Sequence, residues 1–203
     1  MNRNKVLGIY LAAGNSKRMG MEKLNLPFKG STVGNMGLTA AVESELDSTI
    51  VVTKEADCPK WISELLKKDY AHRWELVTCG DAYKGQSCSL KSGLRKAIHL
   101  GYEAVLILLA DQPFVTSEMI NRFIEKYLSS TEDGFISAVF KEIPRPPVLF
   151  TKSTFDRLLD LEGDEGARKL IRKGAGIKGN LIYFNDFSLF VDIDTMEDYM
   201  QFK

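Results

Sequence analysis

Hydrophobic residues form short continuous runs along the chain, and between these runs apolar positions recur at helical spacing. The run "AVLILLAD" at 104–111 shows no alternation of apolar and polar positions, which indicates a strand buried on both faces. Runs of this kind predict strands, and the stretches between them predict amphipathic helices. The predicted strands span 6–13, 48–53, 74–79, 104–111, 133–140 and 189–194, and the predicted helices span 37–44, 59–70, 86–101, 116–130, 151–161, 165–173 and 195–202.

The alternation of strands and helices predicts an α/β fold with three layers and a mostly parallel central sheet. We expect right-handed crossover connections between the parallel strands. The chain shows no internal repeat and no low-complexity tract, so we expect one domain that covers 1–203. Residues 141–150, "KEIPRPPVLF", form a proline-rich segment, and we expect a rigid loop there.

Composition narrows the classes of function. Lys plus Arg and Asp plus Glu each number 27, so no global positive field attracts nucleic acid or an anionic membrane. No apolar run approaches the roughly 20 residues that span a bilayer. The 3 cysteines and 2 histidines lack the spacing of a disulfide framework, a zinc site or a catalytic triad. We therefore expect a cytoplasmic protein with reduced thiols, in which any anion site is local.

A loop of small residues and cations follows the first predicted strand. Residues 12–14, "AAG", let the backbone approach a ligand closely, at the end of a strand where α/β sheets bind ligands. The Ser16 hydroxyl can donate a hydrogen bond, and Arg18 and Lys23 can neutralise phosphate charge. The loop matches neither GxGxxG nor GxxxxGK[ST], which disfavours dinucleotide-binding and P-loop folds. From spacing by itself, a strand-to-helix turn with surface cations is the alternative.

Acidic residues lie at the carboxyl ends of two of the predicted strands. Asp111 ends "AVLILLAD", where a carboxylate that faces phosphates is suited to hold Mg²⁺. The alternative for Asp111 is an Asx-turn before Pro113. Asp192 and Asp194 share one face of the last predicted strand, so either could reach the same metal. The alternative there is a helix start with an acidic first turn.

The stretch "LAAGNSKRMGMEKL" at 11–24 resembles the signature L-[AG]-[AG]-G-x-[SG]-x-R-[ML]-G…K of nucleotidyltransferases of the sugar-phosphate and molybdenum-cofactor type. In that family the loop wraps the triphosphate of an incoming NTP, and the Arg and Lys hold its phosphates. "GQSCS" at 85–89 is similar to a G-x-S-x-S segment that approaches the base and sugar. The resemblance implies nucleotide binding by Leu11, Ala12, Ala13, Gly14, Ser16, Arg18, Lys23, Gly85, Ser87 and Ser89.

The acidic segments also resemble motifs of that family. "LLADQP" is similar to its metal-binding segment, and "DTMED" is similar to its D-T-x-E-D segment. These matches imply that Arg18, Lys23 and Asp111 are catalytic. They also imply that Asp111 holds Mg²⁺, or Mn²⁺ in its place. Asp194 is favoured as the second metal ligand, with Asp192 close behind.

Two later segments resemble the molybdenum-cofactor branch more narrowly. "RPPVLF" at 145–150 is similar to its [GR]-x-P-[VA]-L-F loop, and "EGDEGARKLI" at 162–171 is similar to its G-D-x-G-A-R helix start. In that branch both segments lie around the second substrate, a pterin with its own phosphate. For Arg168, an exposed ion pair with Asp164 is the alternative. The resemblance implies acceptor contacts by Pro147, Asp164, Gly166 and Arg168.

The resemblance covers the chain from residue 11 to about 199 and is closest to molybdenum-cofactor cytidylyltransferases, including accessory proteins of xanthine dehydrogenase-type enzymes. It implies a three-layer, Rossmann-like nucleotidyltransferase fold with a small insertion on the acceptor side. It further implies Mg²⁺-dependent transfer of CMP from CTP to molybdopterin, and "LAAG" is the pattern of the cytidylyl branch. A sugar-phosphate or alditol-phosphate nucleotidyltransferase and a non-catalytic chaperone that delivers molybdopterin are the alternatives.

Overall fold

A computed structural model describes residues 5–14, 19–54, 56, 58–172 and 176–203 of the chain. The strands are β1 Val6–Leu11, β2 Pro27–Phe28, β3 Ser31–Thr32, β4 Ser48–Thr53, β5 Trp74–Thr78, β6 Ala104–Leu109, β7 Phe135–Phe140, β8 Ile143–Thr151 and β9 Gly179–Tyr183. The α-helices are α1 Val33–Glu43, α2 Glu64–Lys68, α3 Gln86–His99, α4 Ser117–Ser129, α5 Phe155–Leu159 and α6 Met196–Phe202. Short 3₁₀ helices span Lys23–Asn25, Ala71–Arg73, Ala82–Lys84, Lys152–Thr154, Ala167–Ile171 and Ser188–Phe190.

Within the described ranges, the central sheet has 7 strands in the order β5-β4-β1-β6-β8-β7-β9, and β2 pairs separately with β3. β1 lies parallel to β4 and β6, β4 lies parallel to β5, and β7 lies parallel to β9. β8 runs antiparallel to its neighbours β6 and β7. The sheet is therefore mostly parallel, which confirms the predicted α/β fold class.

Helices cover both faces of this sheet and create the three layers. Successive residues of a strand point to opposite faces. Tyr10 of β1 accordingly joins a core cluster that includes residues of α1 and α4, whereas Ile9 joins a second cluster that includes residues of α3. All 6 residues of β1 are buried, which explains why this strand reads as a continuous apolar run.

The proline-rich segment is a strand, so the expected loop at 141–150 is wrong. In the pairing of β8 with β7, Ser137 lies opposite Val148 and Ala138 lies opposite Arg145, so Pro146 and Pro147 face no residue of β7. Proline has no N–H group to donate to the ladder, and such an irregularity tolerates it. The prolines therefore mark a bulged strand.

The expected strand at 189–194 is also wrong. This segment begins within the 3₁₀ helix Ser188–Phe190 and continues along the edge of the sheet without joining it. Its Ile193 N–H donates to the Asp111 carbonyl at 2.9 Å. The last strand of the sheet is instead β9, beside β7, which the sequence pattern misses because Gly179 and Asn180 are poor strand formers.

α3, α4 and α6 lie close to their predicted positions, α1 begins before the predicted 37–44, and α2 and α5 are shorter than predicted. α3 and α4 end within 2 residues of the predicted 86–101 and 116–130. The predicted helix at 59–70 contains only the 5 residues of α2. The predicted helix at 165–173 is the 3₁₀ helix Ala167–Ile171. In the described part of the chain, no helix is long and apolar enough to cross a membrane.

Candidate active site

The carboxyl ends of β1, β4 and β6 meet at one edge of the sheet. Ala110 N–H, just after β6, donates to the Leu11 carbonyl at the end of β1 at 3.1 Å. Ala12 N–H donates to the Val52 carbonyl of β4 at 2.9 Å. These bonds fix the start of the small-residue loop beside Asp111, at the edge where parallel sheets bind ligands.

Lys23 connects two of the predicted acidic residues. Its Nζ donates to Asp111 Oδ2 at 2.7 Å and to Asp194 Oδ1 at 2.8 Å. Lys23 is 8% exposed, and burial acts to lower the pKa of its ammonium group. The charges and hydrogen bonds of Asp111 and Asp194 outweigh burial and raise the pKa of Lys23 above its ordinary value. The ammonium therefore stays charged between the two carboxylates.

Backbone contacts and a helix cap position Asp194. The hydrogen bond from Ile193 N–H to the Asp111 carbonyl joins the two acidic segments. Thr195 caps α6 in a capping box with Asp198, whose carboxylate also accepts from Asp194 N–H at 3.2 Å. The expected acidic helix start is thus present, and the Asp194 side chain still reaches Lys23.

Asp192 lies in a different environment from Asp194. Its Oδ1 accepts a hydrogen bond from Gln112 Nε2 at 2.9 Å. Burial, followed by the nearby charge of Asp111, raises the pKa of Asp192 to about 6. The irregular segment that carries both carboxylates therefore sends them to different neighbours, and Lys23 pairs with Asp194.

The carboxylates of Asp111 and Asp194 form a pair around Lys23, and that of Asp111 can accept a further contact. Asp111 Oδ1 is buried and has no hydrogen-bond partner among the described residues. Within the same part of the chain, no group of 3 or more His, Cys, Asp or Glu side chains is arranged to hold a metal ion. Any metal at this edge would therefore take few ligands from these residues.

A cavity of about 470 Å³, here called the loop cavity, opens between the first loop and α3. Gly85 and Ser89 line it from the start of α3, and Asp164 lines it from the segment that packs against Gly85. Ala12 and Gly14 also line a neighbouring cavity of about 440 Å³. Of the predicted nucleotide and metal residues, the loop cavity brings together Leu11, Ala13, Gly14, Gly85, Ser89 and Asp111.

A second cavity of about 240 Å³, here called the β8 cavity, adjoins the loop cavity. Both cavities are lined by Leu11, Gln86 and Leu109, so they share a wall. Of the predicted acceptor residues, Gly166 and Arg168 line the β8 cavity, and Arg168 is exposed. The remaining polar side chains of this cavity are Gln112, Arg145 and Asp192.

Other predicted site residues lie elsewhere. Ser87 is buried, and its hydroxyl donates to the Gly163 carbonyl at 2.8 Å, so it fastens the 162–171 segment to α3. Pro147 is buried, whereas its neighbour Pro146 lines the β8 cavity. The recorded helical ion pair in this segment joins Glu165 and Lys169. The predicted residues Ser16 and Arg18 lie outside the described residues.

Two polar residues of the β8 cavity escaped the sequence predictions. Gln112 directly follows Asp111, and Arg145 is the first residue of "RPPVLF". The available signal was their position within the motifs "LLADQP" and "RPPVLF". Neither residue type points to a ligand until β8 is placed beside β6.

Comparison with known proteins agrees with this geometry. Residues 8–177 match the family described as the MobA-like NTP transferase domain. The purine catabolism protein PucB of Bacillus subtilis (strain 168) is 37% identical over 196 residues, which cover 96% of this chain and 94% of that protein.

Solved structures share the fold at lower sequence identity. Rv0371c from Mycobacterium tuberculosis H37Rv has a TM-score of 0.74 at 23% identity over 97% of both chains. Its complex with manganese has a TM-score of 0.72 at 22% identity, over 98% of this chain and 97% of that one. A nucleotidyl transferase from Methanothermobacter thermautotroptrophicus, Mth528, has a TM-score of 0.74 at 22% identity, over 98% of this chain and 95% of that one. Because the family match spans most of the sequence, the chain belongs to the MobA-like NTP transferase domain family and is a nucleotidyltransferase.

Proposed function

We propose that the protein transfers CMP from CTP to the phosphate of molybdopterin, with release of pyrophosphate, and so forms the cytosine dinucleotide cofactor. The observation that carries the proposal is the contact of Lys23 with Asp111 and Asp194 beside two cavities that share a wall. Adjoining cavities suit two substrates that must meet, and catalysis by positioning requires such proximity. The loop cavity would hold the nucleotide and the β8 cavity the acceptor.

The two carboxylates fit a divalent cation of the Mg²⁺ type, with Mn²⁺ as a substitute. Mg²⁺ is usually held by one or two carboxylates together with water and substrate phosphates, so a pair without a third protein ligand suits it. The buried Asp111 Oδ1, which has no partner among the described residues, is an acceptor that such a cation would satisfy. When bound, the cation would stabilise the charge that develops on the α-phosphate.

Residues of the chain would supply positioning and charge neutralisation. Gly14 lets backbone amides approach the triphosphate, and Arg18 and Lys23 would hold its terminal phosphates. An oxygen of the acceptor phosphate attacks the α-phosphorus with a lone pair. The bond from the α-phosphorus to the bridging oxygen breaks, and pyrophosphate leaves with that electron pair. A phosphate monoester is largely ionised near neutral pH, so the step needs no general base.

The identity of the acceptor draws support from a relative and from the sequence motifs. PucB is named a purine catabolism protein. This name agrees with a product that serves a xanthine dehydrogenase-type molybdoenzyme in the cytoplasm, which is the role we propose. The segments "RPPVLF" and "GDEGAR", on which the resemblance to the molybdenum branch rests, contribute Arg145, Gly166 and Arg168 to the β8 cavity.

Incubation of pure protein with Mg²⁺, molybdopterin and either CTP or GTP tests the proposal. We expect pyrophosphate and a cytosine dinucleotide product with CTP, and loss of both on addition of EDTA. Asp111→Asn should lower the rate at least about 100-fold because the metal site is lost. Asp160→Asn, an exposed carboxylate after α5, is the control and should leave the rate unchanged.

Three other outcomes would contradict the proposal. Pyrophosphate release with sugar phosphates in place of molybdopterin would identify a sugar-phosphate nucleotidyltransferase. Binding of molybdopterin without turnover of any NTP would identify a delivery chaperone. Full activity of Asp111→Asn would remove Asp111 from the metal site.

A further inference from the structure

The β8 cavity contains polar groups that lack partners within the described chain. Gln112 is 2% exposed, and its Nε2 donates to Asp192 Oδ1 at 2.9 Å. Gln112 Oε1 is buried and has no hydrogen-bond partner in the described part of the chain, and the same holds for Arg145 Nε. Both residues line the β8 cavity. Buried polar groups in native proteins nearly always have partners, so one acceptor and one donor left over in the same cavity point to a ligand that supplies them.

The bulge in β8 explains how a strand residue comes to line this cavity. Arg145 lies opposite Ala138, whereas Val148 lies opposite Ser137, so the intervening Pro146 and Pro147 are extra on the β8 side. A bulge bends its strand and redirects the side chains beside it. Arg145, Pro146 and Val148 all line the cavity as a result.

The charge and walls of the cavity define the class of ligand. Its charged side chains are Arg145, Arg168 and Asp192, which sum to 2 − 1 = +1, so the cavity favours an anion. Its apolar walls come from Leu90, Ile107 and other members of the core cluster on the α3 face. Apolar walls with a few convergent polar groups are typical of sites for a small molecule with a ring.

We propose that Arg145 and Gln112 select the acceptor of the transfer reaction. The Arg145 guanidinium binds the phosphate of the acceptor, and Gln112 Oε1 accepts a hydrogen bond from an N–H group of its ring. The ligand class is a phosphate ester that carries a flat heterocycle with N–H donors, and molybdopterin is a member of that class. This inference rests on the proposed function, because it names residues that recognise the second substrate beside Asp111.

Direct binding tests the inference separately from turnover. Pterin fluorescence reports the Kd of molybdopterin, and of a pterin without phosphate, for the nucleotide-free protein. Glycerol 3-phosphate, followed by thermal shift, probes the phosphate contact without a ring. Arg145→Gln should weaken molybdopterin and glycerol 3-phosphate about 10- to 100-fold, since a charge-assisted hydrogen bond is lost. Arg145→Lys should recover part of this affinity, because it restores the charge without the guanidinium fork.

Gln112→Met should affect the ring contact only. We expect molybdopterin and the phosphate-free pterin to bind about 10-fold more weakly, and glycerol 3-phosphate to bind as in the wild type. In turnover, both variants should raise the KM for the acceptor and leave the KM for CTP within about twofold. The matched control is Arg95→Gln, an exposed arginine of α3 outside the cavity, which should bind all three probes as the wild type does.

Two results would overturn the inference. One is a wild-type protein that does not bind molybdopterin, and the other is an unchanged Kd for Arg145→Gln and Gln112→Met in folded protein with a normal melting temperature. If molybdopterin binds and the variants weaken it as expected, but no NTP yields product, the proposed function fails and the recognition site stands.

Discussion

Lys23 Nζ lies 2.7 Å from Asp111 Oδ2, and it is held there by a second carboxylate, that of Asp194. The ammonium group of Lys23 therefore occupies both carboxylates that we propose for a divalent metal. A metal and an ammonium group compete for the same oxygens, because each brings positive charge to them. We infer that Lys23 leaves the carboxylates for the phosphates of the nucleotide, which frees both carboxylates for the metal.

Substitution of Lys23 should therefore change metal binding and catalysis in opposite directions. Lys23→Met removes the competing cation and should raise the affinity of nucleotide-free protein for Mn²⁺ at least about 10-fold. The same change should lower the rate of nucleotidyl transfer about 100-fold, because a phosphate contact is lost. Electron paramagnetic resonance of free Mn²⁺ measures the affinity.

The control for this prediction is Lys152→Met. Lys152 pairs with Glu103 at 3.7 Å, beside the amino end of β6, at the opposite edge of the sheet from Asp111. Lys152→Met should leave the affinity for Mn²⁺ and the rate of nucleotidyl transfer unchanged. A Lys23→Met protein that binds Mn²⁺ no better than the wild type would contradict the competition between Lys23 and the metal.

Asp194 and Asp192 should respond differently to amide substitution. Asp194 shares Lys23 with Asp111, whereas Asp192 pairs with Gln112 in the β8 cavity. Asp194→Asn should weaken Mn²⁺ binding at least about 10-fold, and Asp192→Asn should leave it within about threefold. Calorimetric titration of Mn²⁺ into each nucleotide-free variant measures this difference. The opposite order of effects would assign the second metal ligand to Asp192.

Alanine substitution at two glycines of the loop cavity should have different effects: one should lower the stability of the fold, and the other should weaken ligand binding. Gly85 has a φ of +125°, and a Cβ built there would lie 2.2 Å from backbone atoms of Gly163. Gly85→Ala should therefore cost several kcal/mol of unfolding free energy, on the order of 3. A Cβ at Gly14 would meet no atom of the described residues within 4 Å. Gly14→Ala should keep the wild-type melting temperature but weaken CTP binding about 10-fold, because the loop needs close approach to the triphosphate.

Thermal melts with and without CTP and Mg²⁺ measure both effects of these alanine variants. The expected pattern is a lower baseline melting temperature for Gly85→Ala and a smaller shift with CTP for Gly14→Ala. A Gly14→Ala protein with the full shift would show that the triphosphate does not lie against this part of the loop.

Local sequence signals predict the parallel half of the fold and fail where long-range pairing decides. β1, β4 and β6 are buried apolar runs, so the sequence pattern finds them. β8 is fixed by its pairing with β6 and β7, while its prolines argue against a strand. The predicted strand at 189–194 fails for the converse reason, since Val191 and Ile193 are buried in a separate core cluster with Phe28 and do not join the ladder.

The site follows the same division between local motif and long-range contact. The motifs locate Lys23, Asp111 and Asp194 in the sequence, but Lys23 and Asp194 are 171 positions apart and only the fold joins them. The choice between Asp192 and Asp194 depends on the path of an irregular backbone, which has no sequence pattern. Arg145 can likewise be identified as a cavity residue only from the bulge in β8, which no local sequence pattern specifies.

Tyr10 lies under the active-site edge and should make the stability of the protein depend on alkaline pH. Its side chain is 1% exposed, and its hydroxyl donates to the Gly34 carbonyl at 2.7 Å. Burial, assisted by the charge of Asp111, raises the pKa of Tyr10 well above its ordinary value. The native state therefore keeps the phenol protonated at pH values where an unfolded tyrosine, with a pKa near 10, ionises.

A raised native pKa gives stability that is complete below the unfolded pKa and is lost as pH rises above it. At pH 8, Tyr10→Phe should be less stable than the wild type by about 1 kcal/mol, because a buried hydrogen bond is gone. Above pH 10 the wild type should lose up to about 1.4 kcal/mol per pH unit through Tyr10, a loss that the phenylalanine variant lacks. The difference in unfolding free energy should therefore shrink and change sign near pH 11. Urea unfolding of both proteins at pH 8, 10 and 11 measures it, and a difference that stays constant across this range would show that Tyr10 ionises equally in both states.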